Sequence, residues 1–110
     1  KEIQKLLKEI IFDMIDFSKK SNFKLYLAFL PQKDDILFMK NNFHLYKEFI
    51  DELNKNKEIK IIDLAKYLKH ENNINELYSD NNEYGGHYSK KGNKKIALSI
   101  NQELSKDNVI

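Results

Sequence analysis

Lys24-Leu25-Tyr26-Leu27-Ala28-Phe29-Leu30-Pro31 is the stretch on which the fold turns. Residues 25–30 are apolar at successive positions, so both faces of an extended segment would be buried, as in a parallel strand covered on each side. The run stops at the only proline, which cannot donate to a sheet ladder. A second such segment, Ile59-Lys60-Ile61-Ile62, is too short for a helix and rich in β-branched residues, which predicts another strand.

Ahead of the first strand, Ile3, Leu6, Leu7, Ile10, Ile11, Met14 and Ile15 recur at helical spacing between Lys, Glu and Asp. The spacing predicts an amphipathic helix over residues 2–20, ended by Ser21-Asn22, with the stripe from Ile3 to Ile15 as core. Between the strands, residues 32–42 read as polar apart from Ile36, Leu37, Phe38 and Met39. Phe43, Tyr46, Phe49, Ile50 and Leu53 then give a helix over residues 43–54 behind an Asn41-Asn42 cap signal. Strand, helix and strand in this order describe a right-handed parallel βαβ unit. Asp63 is placed to cap a short helix through Leu64, Ala65, Tyr67 and Leu68, and Ser89 to cap a last helix through Ile96, Ala97, Ile100 and Leu104, with the tail from Ser105 frayed.

With 110 residues there is room for one domain, and 41% hydrophobic content supports one modest core. Thirteen aromatic residues (seven Phe and six Tyr) argue against disorder. The net charge is only +2 and every basic residue is Lys, so the planar guanidinium fork that favours base and phosphate recognition is missing, which argues against a nucleic-acid partner. Without Cys there is no disulfide, thiolate nucleophile or Cys-based zinc site, and three widely separated histidines make a poor metal set. No cofactor is expected. No apolar run is long enough for a membrane span. The chain opens at Lys1 rather than Met, and a segment upstream of it is expected.

All three glycines, Gly85, Gly86 and Gly92, lie around His87. Glycine allows positive φ and close backbone approach, so the permissive residues are concentrated on one loop and the start of one helix. Such loops, held at the carboxyl ends of parallel strands, are where α/β proteins bind ligands. Of the other histidines, His44 on the second helix and His70 in a charged loop read as ordinary surface residues. None of Ser18, Ser21, Ser79, Ser89, Ser99 and Ser105 stands in a glycine-flanked elbow. Lys33, just after Pro31, reads as a solvated lysine.

The segment from Leu77-Tyr78-Ser79-Asp80 through Glu83-Tyr84-Gly85-Gly86-His87-Tyr88-Ser89 to Gly92-Asn93 and Ile96-Ala97 resembles the last block of the SGNH/GDSL hydrolase superfamily, in which an acid precedes a His and a small residue, a Gly and an apolar helix follow. The order upstream is similar to the C-terminal third of bacterial envelope-associated members, including those related to polysaccharide O-acetyltransferases. The resemblance spans residues 2–104, with 77–97 its specific part. It implies part of a three-layer α/β/α, flavodoxin-like domain and a periplasmic or cell-envelope setting. It also implies a serine esterase or O-acyltransferase acting on an ester such as an acylated glycan, with His87 as general base.

The chain departs from the family in two ways. Tyr84 and Gly85 stand where the family's Asp is usual, leaving Glu83 or Asp80 as the acid. The family's Gly-Asp-Ser block and its oxyanion donors are absent, so the chain itself is expected to be inactive. Two parallel strands also leave open sheet edges, which the remainder of the protein, another chain or a second copy would complete. The competing expectation is a non-catalytic binding or assembly module that has lost the nucleophile.

Overall fold

The computed structural model describes residues 2–79 and 87–109. Over these described residues it is a mixed α/β structure with five α-helices and a two-stranded parallel sheet. The first helix, α1 (Glu2–Lys20), carries Glu2 in its first turn and Lys19 and Lys20 in its last, matching charge to the helix dipole. Asn22 ends it in the left-handed region at φ 55°, while the Phe23 amide donates to Ser18 O at 3.0 Å, closing the orphan carbonyls of the last turn. The chain then enters β1 (Leu25–Phe29), which pairs in parallel with β2 (Ile59–Asp63), Leu25 opposite Ile59 and Phe29 opposite Asp63.

The predicted two-sided burial is explained by alternate residues of the strands. Leu25, Leu27, Phe29, Ile59 and Ile61 pack with Ile11 and Ile15 of α1 and with Phe49 and Leu53. Tyr26, Ala28 and Ile62 join the larger cluster built on Ile36, Met39, Leu64, Leu68, Leu77 and Ile96.

Two helices, α2 (Lys33–Asn41) and α3 (Lys47–Leu53), connect the strands in place of the single helix over residues 43–54. In α2, Ile36 and Met39 are three residues apart and both buried, and Asp34 and Asp35 sit in the favourable first turn. Asn42, expected to open a helix, instead terminates α2, its side-chain amide donating to Phe38 O at 2.9 Å. After β2, Asp63 Oδ1 accepts from the Ala65 amide at 3.1 Å and starts the short α4 (Ala65–Leu68). A 3-10 turn follows over Ile74–Leu77, burying Ile74 and Leu77.

The last helix, α5 (Lys90–Lys106), begins at Ser89, whose Oγ accepts from the Gly92 amide at 3.1 Å, the predicted cap. Its far end is anchored rather than frayed. Asp107 accepts from Tyr26 Oη and from Lys60 Nζ, each at 3.1 Å, and Tyr26 and Lys60 are register partners in the sheet. Lys60 also lies 3.4 Å from Glu103, which accepts from Tyr67 Oη.

The stripe of α1 departs most from expectation. Only Ile11, Ile15 and Ser18 are buried, whereas Ile3, Leu6, Leu7, Ile10 and Met14 are exposed. The apolar arc of the helix is wider than the face of two strands can cover. Among the described residues no helix is long and apolar enough to cross a membrane.

Candidate functional site

Parallel strands deliver their chain ends to one side of the sheet, and the polar groups of interest collect there. Beyond β1, Pro31 is buried, and its carbonyl accepts hydrogen bonds from Tyr78 Oη at 2.8 Å and from Tyr88 Oη. The two tyrosine rings stack with centroids 4.8 Å apart, and their backbones form an antiparallel bridge. The bridge continues on both sides, since the Ser79 amide donates to His87 O at 2.8 Å and the Ser89 amide to Leu77 O at 2.9 Å. His87 is thus carried next to a residue clamped to the carboxyl end of β1, with an exposed side chain.

Gly92 is fixed by packing. A Cβ there would lie 2.0 Å from the Leu77 carbonyl oxygen, so only glycine lets α5 close on the end of the 3-10 turn and hold the His87 segment in place. Gly85 and Gly86 lie outside the described residues, and so do Glu83 and Asp80, the two candidate acids for His87.

A third phenol, Tyr46, donates to Asp35 Oδ2. Burial, then the Asp35 hydrogen bond, pushes its pKa well above the usual tyrosine value, and burial does the same to Tyr78 and Tyr88. All three are neutral donors at physiological pH, and each is committed to a protein acceptor, so they orient backbone and carboxylate and are not free to act as bases.

At the end of β2 the structure brings together two residues that sequence reasoning left apart. His44, in the turn between α2 and α3, places Nε2 2.6 Å from Asp63 Oδ2, with side chains 13% and 4% exposed. The two atoms approach without the alignment of a hydrogen bond. Asp63 has its other oxygen on the Ala65 amide, and the His44 ring meets Tyr46 edge-on at 6.0 Å. His44 is therefore not the surface residue expected. The available signal was an Asp at a strand's carboxyl end and a His in a turn on the same side of the sheet. Lys33 opens α2, half-buried, and His70 is exposed as expected. Among the described residues no three metal-ligating side chains converge.

Three clefts open at this end. One, of about 230 Å³, is lined by Leu7, Phe29, Leu30, Leu45, Tyr46 and Phe49 and suits an apolar group. A second, of about 280 Å³, is more polar, with His44, Lys8, Glu48 and Glu52 among its walls. The third, of about 230 Å³, has His44, Asp63, Ile50 and Lys66 among its walls. His87 lines none of the three. The serine hydroxyls of Ser18, Ser79, Ser89, Ser99 and Ser105 all donate to backbone carbonyls. A comparison with known protein families, characterised proteins and solved structures finds no match to this chain.

Proposed function

We propose that this chain is the histidine-bearing part of an SGNH/GDSL-type serine esterase or O-acyltransferase, in which His87 is the general base and the nucleophilic serine comes from polypeptide outside these residues. The observation that carries the reading is the clamp of Tyr78 and Tyr88 on the Pro31 carbonyl, which sets the His87 segment at the carboxyl end of β1, where α/β folds place their chemistry. Two further observations support it: five of the six described serines commit their hydroxyls to backbone carbonyls, and His87 is exposed.

In this reading the sheet belongs to a three-layer α/β/α, flavodoxin-like domain, with α1 and α3 on one face and α2, α4 and α5 on the other. His87 takes the proton from the serine hydroxyl as the oxygen attacks the ester carbonyl, and returns it to the leaving alcohol when the tetrahedral intermediate collapses. Glu83 or Asp80 holds the imidazole. The acyl group then passes to water in an esterase or to a glycan hydroxyl in a transferase. The test is reconstitution: joining this chain to the serine-bearing part should yield hydrolysis of p-nitrophenyl acetate and labelling of that serine by a fluorophosphonate, both lost in His87→Ala.

A second reading, a non-catalytic assembly module, is favoured by the exposed apolar face of α1. It predicts a folded complex with the same partner whose residual esterase turnover is indifferent to His87→Ala.

A further inference from the structure

The exposed side of α1 is too large and too uniform to be ordinary surface. Ile3 (83% exposed), Leu6, Ile10 (49%), Met14 and Phe17 (63%) form one line along the helix, with Leu7 at its inner border and Phe23 packed edge-on against Phe17 at 5.7 Å. No charged residue interrupts the line. Taking roughly 200 Å² for each large apolar side chain when fully exposed, the stripe and Phe23 present on the order of 700 Å². That exceeds the largest apolar patch of a typical monomer and approaches what one partner gives to a stable interface.

The position of the stripe indicates what covers it. At 3.6 residues per turn it is centred about 120° round the helix from the Ile11–Ile15 line that faces the sheet. Lys8, on the opposite flank of α1, reaches α3, 2.5 Å from Glu52 and 5.7 Å from the Phe49 ring. The stripe therefore faces away from α3, on the side of β1 that β2 does not occupy.

On the shared face α1 contacts β1 and α3 contacts β2. Packed helices stand roughly 8–10 Å apart but paired strands only about 4.8 Å, so α1 must overhang the outer edge of β1. Beneath that overhang lies the edge of β1 that no described strand pairs. Consistent with this, all five residues of β1 are only half-buried although the segment is apolar on both faces.

We infer that the corner formed by the α1 stripe and the outer edge of β1 is a docking site for one extended β-strand, supplied by other polypeptide and apolar on the side beneath α1. A second copy does not fit this corner through its own β1. Edge-to-edge antiparallel pairing of two β1 strands puts both overhanging α1 helices on one face of the joined sheet, closer than helices pack. The inference rests on α1 and β1 alone and is independent of the hydrolase reading.

The test uses a short peptide of alternating valine and threonine with a lysine at each end, added at up to millimolar concentration to the intact chain, with amide exchange read residue by residue. Exchange across residues 25–29 should slow by about tenfold or more. Ile10→Lys combined with Phe17→Lys, both at exposed positions, should keep the circular dichroism of the parent and abolish the effect. Unchanged exchange in β1 would overturn the proposal. So would concentration-dependent self-association that protects α1 while leaving β1 amides unchanged, because that result identifies a second copy as the occupant.

Discussion

His44 Nε2 and Asp63 Oδ2 lie 2.6 Å apart in a nearly dry position, joining the turn before α3 to the end of β2. Removing one partner leaves the other buried and uncompensated. Asp63→Ala also deletes the acceptor for the Ala65 amide. Each of His44→Ala and Asp63→Ala should therefore lower unfolding stability by about 1–3 kcal/mol in urea titrations. The double variant should cost clearly less than the two added together. Strict additivity would show that the two side chains are not coupled.

Gly92→Ala tests the contact between α5 and the 3-10 turn. In an open helix the change would gain up to about 1 kcal/mol. Here the new methyl carbon meets the Leu77 carbonyl at 2.0 Å, and backbone cannot yield as a side chain would. The variant should lose about 1–3 kcal/mol, as overpacked sites do. A neutral or stabilising result would mean that α5 does not close on Leu77 as described.

The cluster at the far end of α5 contributes to both limbs of the pH–stability profile. Glu103 is held below the usual carboxylate range first by its hydrogen bond from Tyr67, and Asp107 first by that from Lys60. Depressed values mean that their contribution is full above the unfolded carboxylate range of about 4 and is lost as pH falls through the lowered values. Tyr67 is pushed up to about 12, chiefly by burial and then by Glu103. Its contribution is complete below the unfolded value of about 10 and disappears as pH rises towards 12. Glu103→Gln should flatten the acid limb and Tyr67→Phe the alkaline limb of urea midpoints measured across pH. Unaltered limbs would contradict the assignment.

Much of this architecture is written locally. The period of residues 3–15, the two-sided run at 25–30, the Asp63 and Ser89 caps and the αL-prone Asn22 each act within a turn or a strand, and each is found where the sequence puts it. α2 escaped because nine residues give only two buried positions, Ile36 and Met39, while its apolar neighbours Leu37 and Phe38 stay exposed and blur the period. The Pro31 clamp and the His44–Asp63 pair escaped for a different reason. They join residues distant in sequence, and no local pattern encodes which strand end a turn will meet. The α1 stripe was legible as apolar but not as uncovered, since that depends on how many strands lie beneath it.

Tyr88→Phe probes the clamp. The Pro31 carbonyl keeps Tyr78 as donor, so stability should fall by only about 0.5–1.5 kcal/mol. The amides of Ser79 and Ser89, which pair across the bridge, should exchange faster. No change at these amides would show that Tyr88 does not hold the His87 segment.

The most direct measurement is kcat/KM for p-nitrophenyl acetate in the complex of this chain with the serine-bearing polypeptide, comparing His87→Ala with His44→Ala under conditions where both are folded. The account predicts a loss of about 10³-fold or more for His87→Ala and near-parental turnover for His44→Ala. Parental turnover in His87→Ala, or a large loss confined to folded His44→Ala, would contradict it.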